Sequence, residues 1–198
     1  MKKITRFSAL ILLPLLLVSP AVAAPQVFKI DPVHSSVGFK IRHLGISWVT
    51  GSFKEFEGQV SFDPEKPEAS SVVVTVQAAS VDTGSAKRDA HLKKPELFNV
   101  EKFPTLSFKS TKVEKTGDNT YKVTGDFTLL GTTKPLTVEF TGTDEVKGMQ
   151  GETRRGGETT FVIKRSDFGM NYSIGPIGDD VQVSLAFSGI KADAGTTP

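Results

Sequence analysis

Apolar and polar residues alternate with a two-residue period along most of the chain, in eight stretches: residues 35–43, 53–62, 70–79, 105–113, 120–129, 134–143, 157–165 and 180–190. Successive side chains of a strand point to opposite faces, so this period predicts β-strands with one dry and one wet face. Val37, Phe39 and Ile41 share one parity, with Lys40 and Arg42 on the other. Phe56, Val60 and Phe62 oppose Glu57, Gln59 and Ser61, and Tyr121, Val123, Phe127 and Leu129 oppose Lys122, Thr124, Asp126 and Thr128. Leu136, Val138 and Phe140, and then Val181, Val183, Leu185 and Phe187, repeat the pattern.

Turn residues separate most of the stretches: Asp63-Pro64, Gly117-Asp118-Asn119 and Leu130-Gly131-Thr132. Short hairpins between neighbours favour up-and-down connectivity, and closing the sheet removes both of its exposed edges. The expected fold is therefore all-β, an eight-stranded antiparallel up-and-down barrel, with a two-sheet sandwich as the alternative. Eight strands enclose just enough interior for side chains to fill it or for a ligand to enter.

Two long connections interrupt the strands. In residues 80–104, Ser85 stands where it can cap a short helix from Ala86 to Leu92, stopped by Pro95. Leu97, Phe98, Val100 and Phe103 follow as an apolar run. Residues 166–179 are glycine-rich and carry Phe168, Met170, Tyr172, Ile174 and Ile177. A shorter stretch, residues 44–51, holds Ile46 and the single tryptophan, Trp48. Connections normally face water, so apolar loops of this kind predict a ligand mouth or lid.

The start of the chain changes the charge argument. Lys2, Lys3 and Arg6 precede a leucine-rich apolar run over residues 9–18, and Ala21-Val22-Ala23 follows with small residues at the positions a signal peptidase reads. The run is well short of the ~20 residues a membrane span needs. A cleaved export signal over residues 1–23 is expected, with one domain from 24 to 198 delivered to the periplasm and no transmembrane segment in the mature chain. Without the signal, the 24 basic and 22 acidic residues become 21 and 22. The basic footprint of a nucleic-acid binder is then absent. Arg154-Arg155, set between Gly151 and Gly156-Gly157, is expected at a solvated loop tip.

Candidate chemistry is sparse. The chain has no cysteine, which removes thiol catalysis and thiolate metal sites. His34, His43 and His91 show no metal-ligand spacing, and no nucleophile elbow or phosphate-cradling loop is present. His34, after Asp31-Pro32, is expected to make a structural hydrogen bond at a strand entrance. Neither a catalytic residue, a metal nor a cofactor is assigned. Phenylalanine is abundant, 14 in the chain, and its inward parity on many strands suits either a packed core or a tube lined by flat surfaces.

An ordered set of short motifs resembles one family. Asp31-Pro32-Val33-His34-Ser35 leads into Val37-Gly38-Phe39-Lys40-Ile41-Arg42-His43, then Gly51-Ser52-Phe53 and Phe56-Glu57-Gly58. Ser80-Val81-Asp82-Thr83, Arg88-Asp89-Ala90-His91-Leu92 and Phe98-Asn99-Val100-Glu101-Lys102-Phe103-Pro104 come next. Val123-Thr124-Gly125-Asp126-Phe127-Thr128-Leu129-Leu130-Gly131-Thr132-Thr133 and Lys164-Arg165-Ser166-Asp167-Phe168-Gly169-Met170 complete it. Together they resemble the YceI-like periplasmic polyisoprenoid-binding proteins. The resemblance implies a lipocalin-like barrel with a short helical insertion, and an isoprenoid lipid, polyprenyl or ubiquinone-like, bound in the interior. Motif position and inward parity then mark Phe39, Ile41, Trp48, Phe56, Phe98, Phe108, Phe127, Phe140, Phe168, Met170 and Phe187 as expected contacts of a lipid tail. His43, Arg88 and His91 are expected to meet a polar head group at the mouth. Whether two chains pair as a homodimer is left open, as are two rival roles: a solid barrel acting through its surface, and an enzyme working on an isoprenoid head group.

Overall fold

Phe28, Lys29 and Ile30 pair with Lys191, Ile190 and Gly189, and this meeting of the two ends closes the sheet of the computed structural model, which describes residues 24–192. The export signal expected over residues 1–23 lies outside the described residues. In chain order the elements are β1 (Gln26–Ile30), β2 (Ser36–His43), β3 (Ser47–Phe53), β4 (Phe56–Phe62), β5 (Ser71–Gln77) and β6 (Val81–Asp82). Then come α1 (Ala86–Leu92), β7 (Thr105–Gly117), β8 (Thr120–Leu129), β9 (Thr132–Gly142), β10 (Val146–Lys147), β11 (Thr153–Lys164) and β12 (Ile177–Lys191).

The hydrogen-bonded ring runs β1, β4, β5, β7, β8, β9, β11, β12 and back to β1, every pair antiparallel. It is a closed eight-stranded barrel, as the alternation predicts, and the sandwich is set aside. Three of the eight positions are broken into two pieces. β1 and β2 both pair with β12, one after the other along the same position, and β4 and β3 follow alongside them. β6 extends the position of β5 and pairs with β3.

Three expectations are corrected here. β1 lies outside every predicted stretch, and the stretch over residues 44–51, expected as a loop at a mouth or lid, is mostly strand. Only Leu44, Gly45 and Ile46 form a turn, and β3 begins at Ser47. The predicted strand over residues 53–62 is in fact the end of β3, a kink and β4.

Turn chemistry explains the tight connections. β8 and β9 join through Leu130 and Gly131 alone, both with positive φ (51° and 71°), the backbone a two-residue hairpin with native twist requires. Gly131 takes that conformation without penalty. The meander sorts its connections to two ends. The turn at 44–46, the helical segment 83–104, the turn at 130–131 and the loop 165–176 lie at one end. The opposite end holds residues 63–70, 118–119 and 143–152.

Helix α1 occupies the residues expected, but Ser85 makes no side-chain cap bond. Asp89 takes over: its carboxylate accepts from the backbone N–H of Thr83 at 2.9 Å and from the Thr83 hydroxyl. Arg88 donates to the same threonine, at Oγ1 (2.7 Å) and the carbonyl (2.8 Å). The short helix is thus pinned to the end of β6. Beneath it Leu92 and Phe98 pack against the core cluster that holds Phe53, Val81 and Leu129, with the Phe98 ring edge-on to Phe53.

Candidate functional site

Inward parity along each barrel strand creates the site. Phe39 and Ile41 on β2, Phe108 on β7, Val123 on β8, Leu136 and Val138 on β9, Phe161 on β11 and Val183 and Leu185 on β12 all face one cavity. Its volume is about 710 Å³, inside the ~300–1,000 Å³ range of small-molecule sites. Most of these side chains are only half-buried although they point inward. In a solid barrel such positions would be covered on all sides, as protein interiors pack at near-crystalline density. Aromatic rings lie flat against the wall where a neighbouring strand offers a glycine. Phe39 pairs with Gly51, and any Cβ there would strike its ring; Phe108 covers Gly125 in the same way, with Cζ 2.6 Å from where a Cβ would stand. Rings seated on bare Cα atoms leave the bore open.

Of the expected tail contacts, Phe39, Ile41, Phe56, Phe98, Phe108, Phe127, Phe140, Met170 and Phe187 line the cavity. The expected head-group residues His43, Arg88 and His91 line it too, at the end that carries α1. Two positions are corrected. Trp48 lies on the outer face of β3, 44 % exposed, with the Arg42 guanidinium 4.1 Å and the Lys40 ammonium 4.9 Å from its ring. Alternation explains it, since Val49 and Phe53 are the inward residues of that strand. Phe168 is buried in the wall behind the cavity, edge-on to Phe127 at 5.3 Å.

The ends of the cavity are polar and its middle is not. At the mouth, His91 Nε2 stands 3.2 Å from Glu96 Oε1, and its ring meets the edge of Tyr172 at 5.2 Å. Arg88 spends two of its N–H groups on Thr83, so the rest of its guanidinium faces the mouth. At the far end Arg155 lines the cavity, its guanidinium 3.9 Å from the centre of the Phe62 ring and hydrogen-bonded to Asn119 Oδ1 at 3.4 Å. The loop tip expected for Arg154-Arg155 is wrong: both lie in β11, pointing to opposite faces. A cation stacked on an aromatic inside the barrel gives no periodic signal, because two glycines follow it and blur the strand.

Arg165 holds the other side of the mouth in place. It is 2 % exposed, and its guanidinium donates to the carbonyls of Gly178 (2.8 Å), Met170 (3.0 Å), Tyr172 (2.8 Å) and Ile177 (3.2 Å). Burial pushes this group below its usual value, offset by the Asp179 charge. Next to it Asp179 accepts from the Ser166 hydroxyl at 2.7 Å and the Ser166 N–H at 2.9 Å, which holds its carboxyl below the usual range. The Arg165-Ser166-Asp167 segment thus organises the whole loop. Asp167 itself pairs outward with Lys134 at 3.4 Å.

The wall has one weak seam. β9 and β11 pair only through Thr141 and Gly142 against Glu158 and Gly157. Beyond them the Thr159 hydroxyl donates to the Glu139 carbonyl at 2.6 Å. Among the described residues no group of His, Cys, Asp and Glu could hold a metal, and no helix is long and apolar enough to cross a membrane.

A closed barrel with an apolar bore and a helical insertion at its mouth has known counterparts. The family model for the YceI-like domain matches residues 28–188. The chain belongs to the YceI-like family. Among its YceI-like relatives, a UPF0312 protein of Ectopseudomonas mendocina is 42 % identical over 184 residues, 93 % of this chain and 96 % of that one. A crystal structure of the Campylobacter jejuni YCEI protein is 33 % identical, with TM-score 0.70, over 83 % of this chain and 97 % of that one. The YceI-like fold extends to a polyisoprenoid binding domain from Saccharophagus degradans, with TM-score 0.67 at 14 % identity, over 83 % of this chain and 98 % of that one. The fold expected from the ordered motifs is thereby established.

Proposed function

We propose that this chain is a periplasmic carrier that holds a long-chain isoprenoid lipid, polyprenyl or ubiquinone-like, in its bore for transport or storage, without altering it. The observation that carries the reading is the cavity: inward apolar side chains from every part of the wall leave about 710 Å³ between them. A hydrocarbon tail gains about 0.8 kcal/mol for each CH₂ it buries, so a few isoprene units supply useful affinity without any polar contact. The structural neighbour from Saccharophagus degradans is described as a polyisoprenoid binding domain, which supports the same ligand class here. Export is supported by the charged, apolar and small-residue layout of residues 1–23.

In this reading the tail lies along Phe39, Phe108, Val138 and Val183, and the head group stays near His43, Arg88 and His91. The histidines and the arginine can donate hydrogen bonds to carbonyl or phosphate oxygens. The test is mass spectrometry of lipids extracted from the purified protein. A stoichiometric isoprenoid is the expected result. A lipid-free extract from folded protein, joined to failure to take up added polyprenol or quinone, would overturn the carrier reading.

A further inference from the structure

The end of the barrel that carries the mouth combines exposed apolar side chains with a basic excess, a pairing the opposite end lacks. Its connections expose apolar side chains: Leu44 (57 %) and Ile46 (82 %) on the β2–β3 turn, and Tyr172 and Ile174 on the loop before β12. The turn and the loop are joined, since the Leu44 N–H donates to the Pro176 carbonyl at 2.7 Å. Trp48 stands beside them on the outer wall with Arg42 and Lys40 against its indole.

Charge separates the two ends as well. Apart from the buried Arg165, the mouth-end connections, residues 44–46, 83–104, 130–131 and 165–176, carry five Lys and Arg against four Asp and Glu. The opposite connections, residues 63–70, 118–119 and 143–152, carry two against seven. Val146 and Met149 are also exposed, but they lie at that acidic end among Asp144, Glu145 and Glu152.

We propose that the mouth end docks on a bilayer surface that contains anionic lipid. The charge asymmetry turns the mouth toward a negative surface. Leu44, Ile46 and Ile174 then enter the interface, and Trp48 with its two cations lies at head-group level, where such amphipathic groups are enriched. Docked this way, the mouth opens toward the membrane and a lipid tail passes between bilayer and bore without crossing bulk water. The inference takes its purpose from the carrier reading, but the two can fail separately.

Flotation of the full chain with vesicles of phosphatidylglycerol and phosphatidylethanolamine, against vesicles of phosphatidylcholine, tests it. The expected result is flotation with the anionic vesicles alone, weakened by salt, with a blue shift of Trp48 emission. Ile46→Asp combined with Ile174→Asp should weaken vesicle binding about tenfold or more, while circular dichroism and the lipid content of the bore stay unchanged. Neither residue lines the cavity, so lipid retention is an independent readout. Three outcomes overturn docking: no flotation, flotation untouched by the double substitution, or a concentration-dependent dimer that the substitution breaks, which would assign the rim to a second copy. Bound lipid without flotation would sink docking alone, and flotation by a lipid-free protein that takes up none would sink the carrier reading alone.

Discussion

The imidazole of His91 stands edge-on to the ring of Tyr172, centroids 5.2 Å apart, and this pair joins the helical insertion to the glycine-rich loop across the mouth. The two residues come from connections far apart in sequence, each anchored separately. Thr83, Arg88 and Asp89 fix the helix, and Arg165 fixes the loop. The aromatic contact is therefore the yielding part of the mouth.

Replacing Tyr172 by alanine should open that contact at small cost to the fold. An aromatic pair contributes about 0.5–1.5 kcal/mol beyond its buried area, and Tyr172 is already exposed. The transfer of a fluorescent polyprenyl analogue from the protein to acceptor vesicles should accelerate several-fold by this scale, with a nearly unchanged melting temperature. An unaltered transfer rate would mean that the lipid leaves by another route, for which the β9–β11 seam is the alternative.

A charge in the bore tests the tail path. Phe127 is a poor place for it, because its ring is packed against Phe168 and the substitution would strike the wall itself. Val183 faces the cavity and is only half-buried. Val183→Asp should leave a folded barrel, since water reaches the new carboxylate until a tail displaces it. Burying an unpaired charge under hydrocarbon costs several kcal/mol, so lipid should vanish from the extract. A folded variant that retains its lipid would place the tail elsewhere.

Parity along single strands made the inner wall legible. Val37, Phe39 and Ile41, or Val181, Val183, Leu185 and Phe187, point inward as their spacing requires. What stayed hidden follows from physical causes. β3 reads poorly because Gly51 leaves a gap in its inward set while Trp48 adds an apolar ring outside. β1 is short, and its inward residues gain meaning only beside β4 and β12. Arg155 breaks the binary rule outright, a charged residue on the inner face made tolerable by stacking on Phe62. The mouth depends on Arg165 binding four carbonyls of a distant-looking loop, and no periodicity encodes that.

Arg165 yields a stability prediction. Four backbone carbonyls are satisfied by one buried guanidinium, and hydrogen bonds from a charged donor are worth about 1.5–3 kcal/mol each when broken singly. Lysine offers a point charge and cannot reproduce the planar fork. Arg165→Lys should lower stability by about 2–4 kcal/mol and make residues 169–178 the first site of proteolytic cleavage. Wild-type urea midpoint and cleavage pattern in that variant would show that the loop holds itself.

Asp31 supplies the pH dependence. Its carboxylate, buried at the break between β1 and β2, accepts from His34 Nδ1 (2.7 Å), the Arg154 guanidinium (2.8 Å) and the Val33 N–H (3.0 Å). The hydrogen bond from His34 is the largest influence and that from Arg154 the next, and together they lower its pKa from the ordinary 3.8 to about 2. Arg154 also holds Glu152 at 2.7 Å, so the first strand is tied to β11 through this cluster. A folded-state pKa below the unfolded one means the stabilisation is complete above about pH 4 and is lost as the pH falls toward 2. The shift corresponds to at most about 2.5 kcal/mol, reduced where solvent reaches the cluster. Asp31→Asn keeps the shape and removes the charge, so it should lose stability at neutral pH and flatten the decline between pH 4 and 2. Urea unfolding at a series of pH values measures both, and two parallel curves would remove Asp31 from the explanation of acid sensitivity.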